Sequence, residues 1–233
     1  MPGLATVAGQ VVAAGVPVLF PDTCILLDII RASYRCLGGC VERAVDLLKM
    51  TTAAPSGCLL VVSSIVPIEW NTHSPEVVEE VKRHLAKIED QSAHFHDACQ
   101  ALGIAPSFGR ATYTGPGLAD RLRHLCQQLL AAAVPLDPDD NSRVRAVGRV
   151  VSNTPPARRG AEVKDCTILE EYLEVSRQVR QAGFAKKLVF CTSNTKDYCQ
   201  TGGGLFPALA AEFQTVGLVF THDLPWAAHE VQR

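Results

Sequence analysis

The sequence predicts an α/β fold with a mostly parallel central sheet that is flanked by helices. Short apolar runs of strand length alternate with longer segments of helical periodicity, which is typical of this class. The run at 58–66, CLLVVSSIV, is apolar throughout, as expected of a strand that helices cover on both faces. The chain has 233 residues and is 47% hydrophobic, which is enough for one good core.

In the first half of the chain, periodicity predicts two strands and three helices. Strands are expected at 16–20 and 58–66, and helices from 24, over about 41–52 and over about 75–102. We expect Thr23 to cap the helix that begins at Cys24, since threonine is a favoured N-cap residue. The glycine pair at 38–39 separates the first two helices.

In the second half, the expected elements are a loop at 103–117, helices at about 118–133, 164–183 and 207–214, a short helix within 135–160, and strands at 187–193 and 217–223. The segment from 103 to 160 lacks strand signals, and it is not bounded by a linker at each end as a separate domain would be. We therefore expect one Rossmann-like domain over residues 1–233, with a helical insertion, or elaboration, at about 103–158.

Charge and cysteine content narrow the class of protein. The net charge is -2, so any basic surface for a nucleic acid must be local. The nine cysteines form no C-x-x-C pair and several lie within apolar runs, which indicates small core residues in a reducing cytoplasm. No apolar run approaches the roughly 18–20 residues of a membrane helix. Together these features predict a cytoplasmic protein without a membrane segment.

Acidic and amide side chains follow several predicted strands or begin the next helix. These residues are Asp22, Glu69, Asp165, Asn194 and Asp197. The carboxyl ends of parallel strands line one crevice, so the side chains are expected near one another. Alternatively, Asp22 and Asp165 could each stabilise a helix start, Glu69 could be solvated, and Asp197 could be a turn residue. Converging carboxylates repel one another unless a divalent cation neutralises them, and hard oxygen donors favour Mg²⁺ or Mn²⁺ over zinc.

Four segments resemble, in order along the chain, the motifs of PIN-domain nucleases. They are VLFPDTCILLDII at 18–30, VVSSIVPIEW at 61–70, EVKDCTIL at 162–169 and LVFCTSNTKDY at 188–198. The closing ALAAEFQTVGLVFTHDL is similar to the last helix and strand of that family. The resemblance covers 16–75 and 160–224, and TSNTKDY is similar to the fourth motif of a larger subgroup.

The resemblance implies a Mg²⁺- or Mn²⁺-dependent endoribonuclease that hydrolyses phosphodiester bonds in single-stranded RNA. Carried over by position, Asp22, Glu69 and Asp165 correspond to the first three acids, as metal ligands. The family's fourth acid is here Asn194, and Asp197 is the residue that could supply its charge as a metal ligand. This departure leaves open whether a second metal binds. Asn194 would orient water or phosphate.

Substrate binding is expected from cations beside these acids. Candidate phosphate contacts are Thr23, Arg158, Arg159, Lys164 and Lys196. Thr23 has the cap as its alternative role. The basic residues between 143 and 164 could follow an RNA backbone or form a solvated helix face.

Two other functions stay open. A PIN-like protein with a degenerate site would bind RNA or act as a scaffold with little catalysis, as Asn194 suggests. A small-molecule α/β enzyme would need a cofactor fingerprint, and the sequence has none that we recognise. The resemblance also leaves open structured RNA, an antitoxin or other protein regulator, and a homodimer as partners. His73, four residues after Glu69, is expected to be structural or solvated.

Overall fold

The structure is a computed structural model, and it describes residues 3–35, 38–105, 112–137, 139–157 and 163–232. The strands are β1 (Val18–Pro21), β2 (Leu59–Ser63), β3 (Val134–Leu136), β4 (Leu188–Cys191) and β5 (Leu218–Thr221). The helices are α1 (Leu4–Ala14), α2 (Thr23–Ile30), α3 (Cys40–Thr52), α4 (Ile65–Ala101), α5 (Leu118–Ala132), α6 (Asp140–Val151), α7 (Val163–Gln181), α8 (Thr195–Tyr198), α9 (Pro207–Val216) and α10 (Leu224–Gln232).

The strands form one parallel sheet in the order β3-β2-β1-β4-β5, which confirms the predicted α/β class. Val18 of β1 is in register with Leu59 of β2 on one side and with Leu188 of β4 on the other. The chain therefore builds outward to β3 and then returns to the other side of β1. In such a sheet, ligands bind where the strand order reverses, here at the carboxyl ends of β1 and β4.

The sheet includes a strand that the sequence did not reveal. Val134–Leu136 pairs with β2, so the segment at 103–158 contributes to the sheet as well as adding helices. The expectation that this segment holds no strand is wrong, because a three-residue strand gives no periodicity. Its central residue, Pro135, is tolerated because β3 is an edge strand of the sheet.

The helix after β2 begins earlier than expected. We expected it over about 75–102. In the structure, β2 ends at Ser63 and α4 runs from Ile65 to Ala101, with Pro75 inside it. Glu69 therefore lies within the second turn of α4.

Helix α7 is held to the carboxyl edge of the sheet by a buried tyrosine. The hydroxyl of Tyr172 donates to the carbonyl of Pro21 at 3.0 Å and accepts the backbone N–H of Ser63 at 3.0 Å. The ring packs on Phe20 and Phe190, with centroids 4.9 Å and 5.7 Å away. These contacts connect α7 to β1, β2 and β4 and place the start of α7 beside the ends of those strands.

Two observations bear on the predicted cellular setting. Within the described ranges, the cysteines are free thiols, and all but Cys24 are buried, as expected of small core residues. No helix in the same part of the chain has the length and apolar character that a bilayer crossing requires.

Candidate functional site

Six of the predicted site residues line one cavity of about 520 Å³ at the carboxyl edge of the sheet. They are Asp22, Thr23, Glu69, Asp165, Asn194 and Lys196. They come from the segments that follow β1 and β4, including the starts of α2 and α8, and from the first two turns of α4 and the first turn of α7. We call this space the acid cavity, and its volume is within the range of ligand-binding sites.

Asp22 is buried and its two carboxylate oxygens are held by different donors. The backbone N–H of Thr23 donates to Oδ1 at 2.6 Å, and the Thr192 hydroxyl donates to Oδ2 at 2.7 Å. Burial raises the pKa of the Asp22 carboxyl above its ordinary value. The hydrogen bond from Thr192 opposes this rise, and the negative charge of Glu69 adds to it. Among the described residues, no ion pair joins Asp22 to a cationic side chain.

Asp22, and not Thr23, is the N-cap of α2, which corrects the predicted cap. Asp22 has extended backbone angles, and aspartate is a stronger N-cap than threonine. The Thr23 hydroxyl is therefore available for another partner, and it donates to Oε2 of Glu69 at 2.8 Å. Thr23 links the first and second acids, while contact of its hydroxyl with a phosphate stays a prediction.

Lys164 neutralises part of the acidic charge. Its Nζ lies 3.5 Å from Oε1 of Glu69, although the lysine side chain is 55% exposed. The screening by solvent makes such a pair weak, so Lys164 could exchange Glu69 for a phosphate at little cost.

Asn194 stands beside the third acid. Its Nδ2 donates to Oδ2 of Asp165 at 3.2 Å, and its backbone N–H donates to the Thr192 hydroxyl at 3.1 Å. A carboxylate in place of Asn194 would repel Asp165, whereas the amide holds it. Thr192 contacts both Asp22 and Asn194 and so connects the two sides of the acid cavity.

The other predicted residues have different positions. Asp197 lies half-buried in α8 and is not among the described residues that line the acid cavity, so its role as a metal ligand stays a prediction. Arg158 and Arg159 lie outside the described residues. Lys196 is exposed at the cavity wall, as a phosphate contact must be.

Two of the three arginines of α6 are engaged with neighbouring helices and do not belong to the open basic track or the solvated face that the sequence suggested. Arg149 is buried and pairs with Glu170 at 2.6 Å and with Glu212. Arg145 contacts Glu170 at 2.7 Å, and Arg143 contacts Asp140 at 3.3 Å. Arg145 and Arg149 thus serve contacts between helices, whereas Arg143 is an exposed residue paired within α6.

Several residues of the acid cavity were missed. Cys24, Arg35 and Ser193 line it without having been predicted, and His73 lines it where we expected a structural or solvated role. The spacing of four residues between Glu69 and His73 was a signal for His73. Burial raises the pKa of the Cys24 thiol well above its ordinary value, so this residue is a thiol that donates to Asp22, at 3.2 Å.

The acidic side chains of the acid cavity offer oxygen donors, the ligand type that Mg²⁺ and Mn²⁺ prefer. Among the described residues, no group of three or more His, Cys, Asp or Glu side chains is arranged so that it could hold a metal ion. Mg²⁺ usually keeps several waters and takes only one or two carboxylates, so Asp22 with Glu69 or Asp165 provides sufficient ligands. A cation would also offset the cost of the buried charge on Asp22.

Comparison with known proteins identifies no relative. No protein-family model, curated protein or solved structure matches this chain. The features of the chain that bear on function are the sheet topology, the groups that line the acid cavity and the resemblance of the four motifs.

Proposed function

We propose that this chain is a Mg²⁺- or Mn²⁺-dependent endoribonuclease of the PIN type that hydrolyses phosphodiester bonds in single-stranded RNA. The observation that carries the proposal is the convergence of three acids from distant segments. Asp22, Glu69 and Asp165 line one cavity at the point where the strand order of the sheet reverses. The order of the four motifs along the chain supports the same class of enzyme. A cytoplasmic location is part of the proposal.

Each residue of the acid cavity has a place in this chemistry. Asp22, with Glu69 or Asp165, would hold the ion, which when bound would lower the pKa of a water and offset charge on phosphate oxygens. Thr192 is a positioning residue, because its hydroxyl fixes the orientation of the Asp22 carboxylate. Lys196 and Arg35 would attract the phosphate, since both are cations at the cavity wall.

Asn194 favours a second candidate function, a PIN-like RNA-binding or scaffold protein with little catalysis. An amide in place of the fourth acid lowers the negative charge available to hold a cation. Its hydrogen bond to Asp165 also occupies one oxygen of that carboxylate. This candidate differs from the first in its prediction that RNA binds equally well with and without a divalent cation.

Cleavage of end-labelled single-stranded RNA separates the two functions. We would compare the wild type with Asp22→Asn and Asp165→Asn, each with Mn²⁺, Mg²⁺ or EDTA. Asp90→Asn is the matched control, because Asp90 is exposed on α4 and undergoes the same change of charge. We expect metal-dependent cleavage by the wild type and the control, and a loss of at least about 100-fold in the other two variants.

Other outcomes would decide against hydrolysis at this site. Equal cleavage by the wild type, Asp22→Asn and Asp165→Asn would mean that the acid cavity is not where RNA is cut. RNA binding without cleavage, unaffected by EDTA, would support the scaffold function in its place. Circular dichroism of each variant would show whether a loss of cleavage reflects loss of folding.

A further inference from the structure

A second cavity, of about 320 Å³, adjoins the acid cavity at the same edge of the sheet. We call it the side cavity. Arg35 and Ser193 belong to the walls of both cavities. A ligand can therefore extend from one to the other, with Arg35 between its two parts.

The walls of the side cavity are mostly apolar. Most of the lining surface is apolar and comes from Ile25, Cys40, Leu224 and Pro225, all but Pro225 buried. The polar members of the lining are Asp28, Arg35, Ser193, His222 and Asp223. Small-molecule sites usually combine apolar walls with a few polar groups, in volumes that begin near about 300 Å³. A second phosphate would be poorly served by such walls, whereas the flat, apolar faces of a nucleobase would be well packed.

The polar groups of the side cavity suit the edge of a base. Asp28 accepts a hydrogen bond from Arg35 at 3.2 Å, and this carboxylate can also accept from ring or amino N–H groups. The His222 side chain is 60% exposed and its Nδ1 lies 3.4 Å from Oδ2 of Asp223, which leaves the other imidazole nitrogen for an entering ligand. The Arg35 guanidinium, 58% exposed, can stack on a base or contact the phosphate beside it.

We propose that the side cavity binds one unpaired nucleobase of the RNA whose phosphate lies in the acid cavity, and so selects the position of cleavage. Protein recognition of RNA sequence commonly takes unstacked bases into pockets of this kind. The inference rests on the proposed function for the position of the phosphate. Binding of the base itself requires no cleavage, so the two can fail separately.

The first test is a titration of the protein in EDTA with each of the four nucleoside 5′-monophosphates, followed by NMR of the histidine imidazoles. The His222 signal is assigned from its absence in His222→Ala. We expect saturable shifts of this signal that differ between the four bases by several-fold in affinity. His229→Ala is the control, since His229 is exposed on α10 and does not line the side cavity, and it should leave the shifts unchanged.

The second test is cleavage of a pool of single-stranded RNA of random sequence, read by sequencing the product ends. We expect a base preference at one position beside the cleaved bond. His222→Ala should reduce this preference about tenfold, which is the scale of one base contact, and His229→Ala should retain it.

The outcomes separate the side cavity from the nuclease. Shifts that depend on the base, without any RNA cleavage, would refute hydrolysis and retain the side cavity as a base-binding site. Cleavage without base preference, together with equal shifts from the four nucleotides, would retain the nuclease and overturn the side cavity. Shifts of the same size from inorganic phosphate alone would also overturn it, since no base would then be recognised.

Discussion

A single carboxylate, that of Asp22, both caps α2 and faces the acid cavity. Its Oδ1 accepts from the N–H of Thr23, and its Oδ2 accepts from the hydroxyl of Thr192. Asparagine caps helices as well as aspartate does but carries no charge. Asp22→Asn therefore removes the charge while keeping the cap, which makes it a suitable variant for separating activity from folding.

A second carboxylate is buried without a role in the proposed chemistry. Glu171 on α7 is fully buried, and neither of its oxygens has a hydrogen-bond partner among the described residues. Burial raises the pKa of Glu171 from 4.5 to about 8. The folded protein thus retains a proton on Glu171 at a pH where the unfolded chain has lost it.

We predict that Glu171 makes the stability of the wild type fall as the pH rises from 4.5 to about 8. In this window the folded state binds more protons than the unfolded state, so the free energy of unfolding decreases with pH. The upper limit is about 5 kcal/mol, at about 1.4 kcal/mol for each unit of pKa. The glutamine of Glu171→Gln does not titrate. The free energy of unfolding of this variant should therefore increase relative to that of the wild type as the pH rises across this window.

Urea unfolding at several pH values between 5 and 8 tests this prediction. Glu76 is exposed on α4, so the free energy of unfolding of the control Glu76→Gln should differ from that of the wild type by the same amount at every pH. If the difference in free energy of unfolding between Glu171→Gln and the wild type were independent of pH, Glu171 would be ionised in the folded protein.

At the scale of elements, a buried arginine joins α6, α7 and α9. Arg149 donates from Nε to Glu170 at 2.6 Å and from Nη1 to the carbonyl of Pro155 at 2.8 Å, and it also pairs with Glu212. The glutamates are 21 and 63 residues away along the chain, so the sequence gives no sign of these pairs. This is why the arginines of this region resembled a track for RNA.

We predict that Arg149→Met lowers the free energy of unfolding by about 3 kcal/mol, because the buried carboxylate of Glu170 then loses one of its two arginine partners. Arg143→Met is the control, since the Arg143–Asp140 pair is exposed and should contribute at most about 1 kcal/mol. Urea unfolding measures both. Equal losses for the two variants would mean that the Arg149 contacts contribute no more than a surface pair, and loss of RNA binding without loss of stability would restore the basic track.

The elements show which features a sequence can predict. The helices α3, α5 and α7 have clear periodicity and were placed within a few residues of their observed bounds. Strand β3 gave no signal because it is short and centred on Pro135. In the same way, Asp22, Glu69 and Asp165 could be predicted from their places after strands or at helix starts. Thr192 could not, because its contact with Asp22 joins residues 170 positions apart.

At the scale of the whole molecule, the order of the strands explains why the acids and the side cavity are neighbours. The chain reverses its direction of sheet growth at β1, so the ends of β1 and β4 are adjacent. The contacts of Tyr172 then bring α7, with Asp165, to the same edge. Three carboxylates therefore meet at this edge, beside the cations Arg35 and Lys196.

We predict that Mn²⁺ raises the melting temperature of the wild type. A ligand that binds only the folded state adds about 2.7 kcal/mol at 100 times its dissociation constant, which is about 5–11 °C for a chain of this size. Asp22→Asn should lose most of this gain, while Asp90→Asn, the exposed control on α4, should retain it. Differential scanning fluorimetry in Mn²⁺ and in EDTA measures all three proteins.

The two contrary outcomes of this experiment have different meanings. An equal gain in all three proteins would place the ion away from the acid cavity. No gain in any of them would remove the cation from the proposed chemistry, so that the acid cavity would have to act on its ligand through Lys196, Arg35 and its hydrogen-bond donors alone. Because unfolding is measured without RNA, the result does not depend on choosing the right substrate.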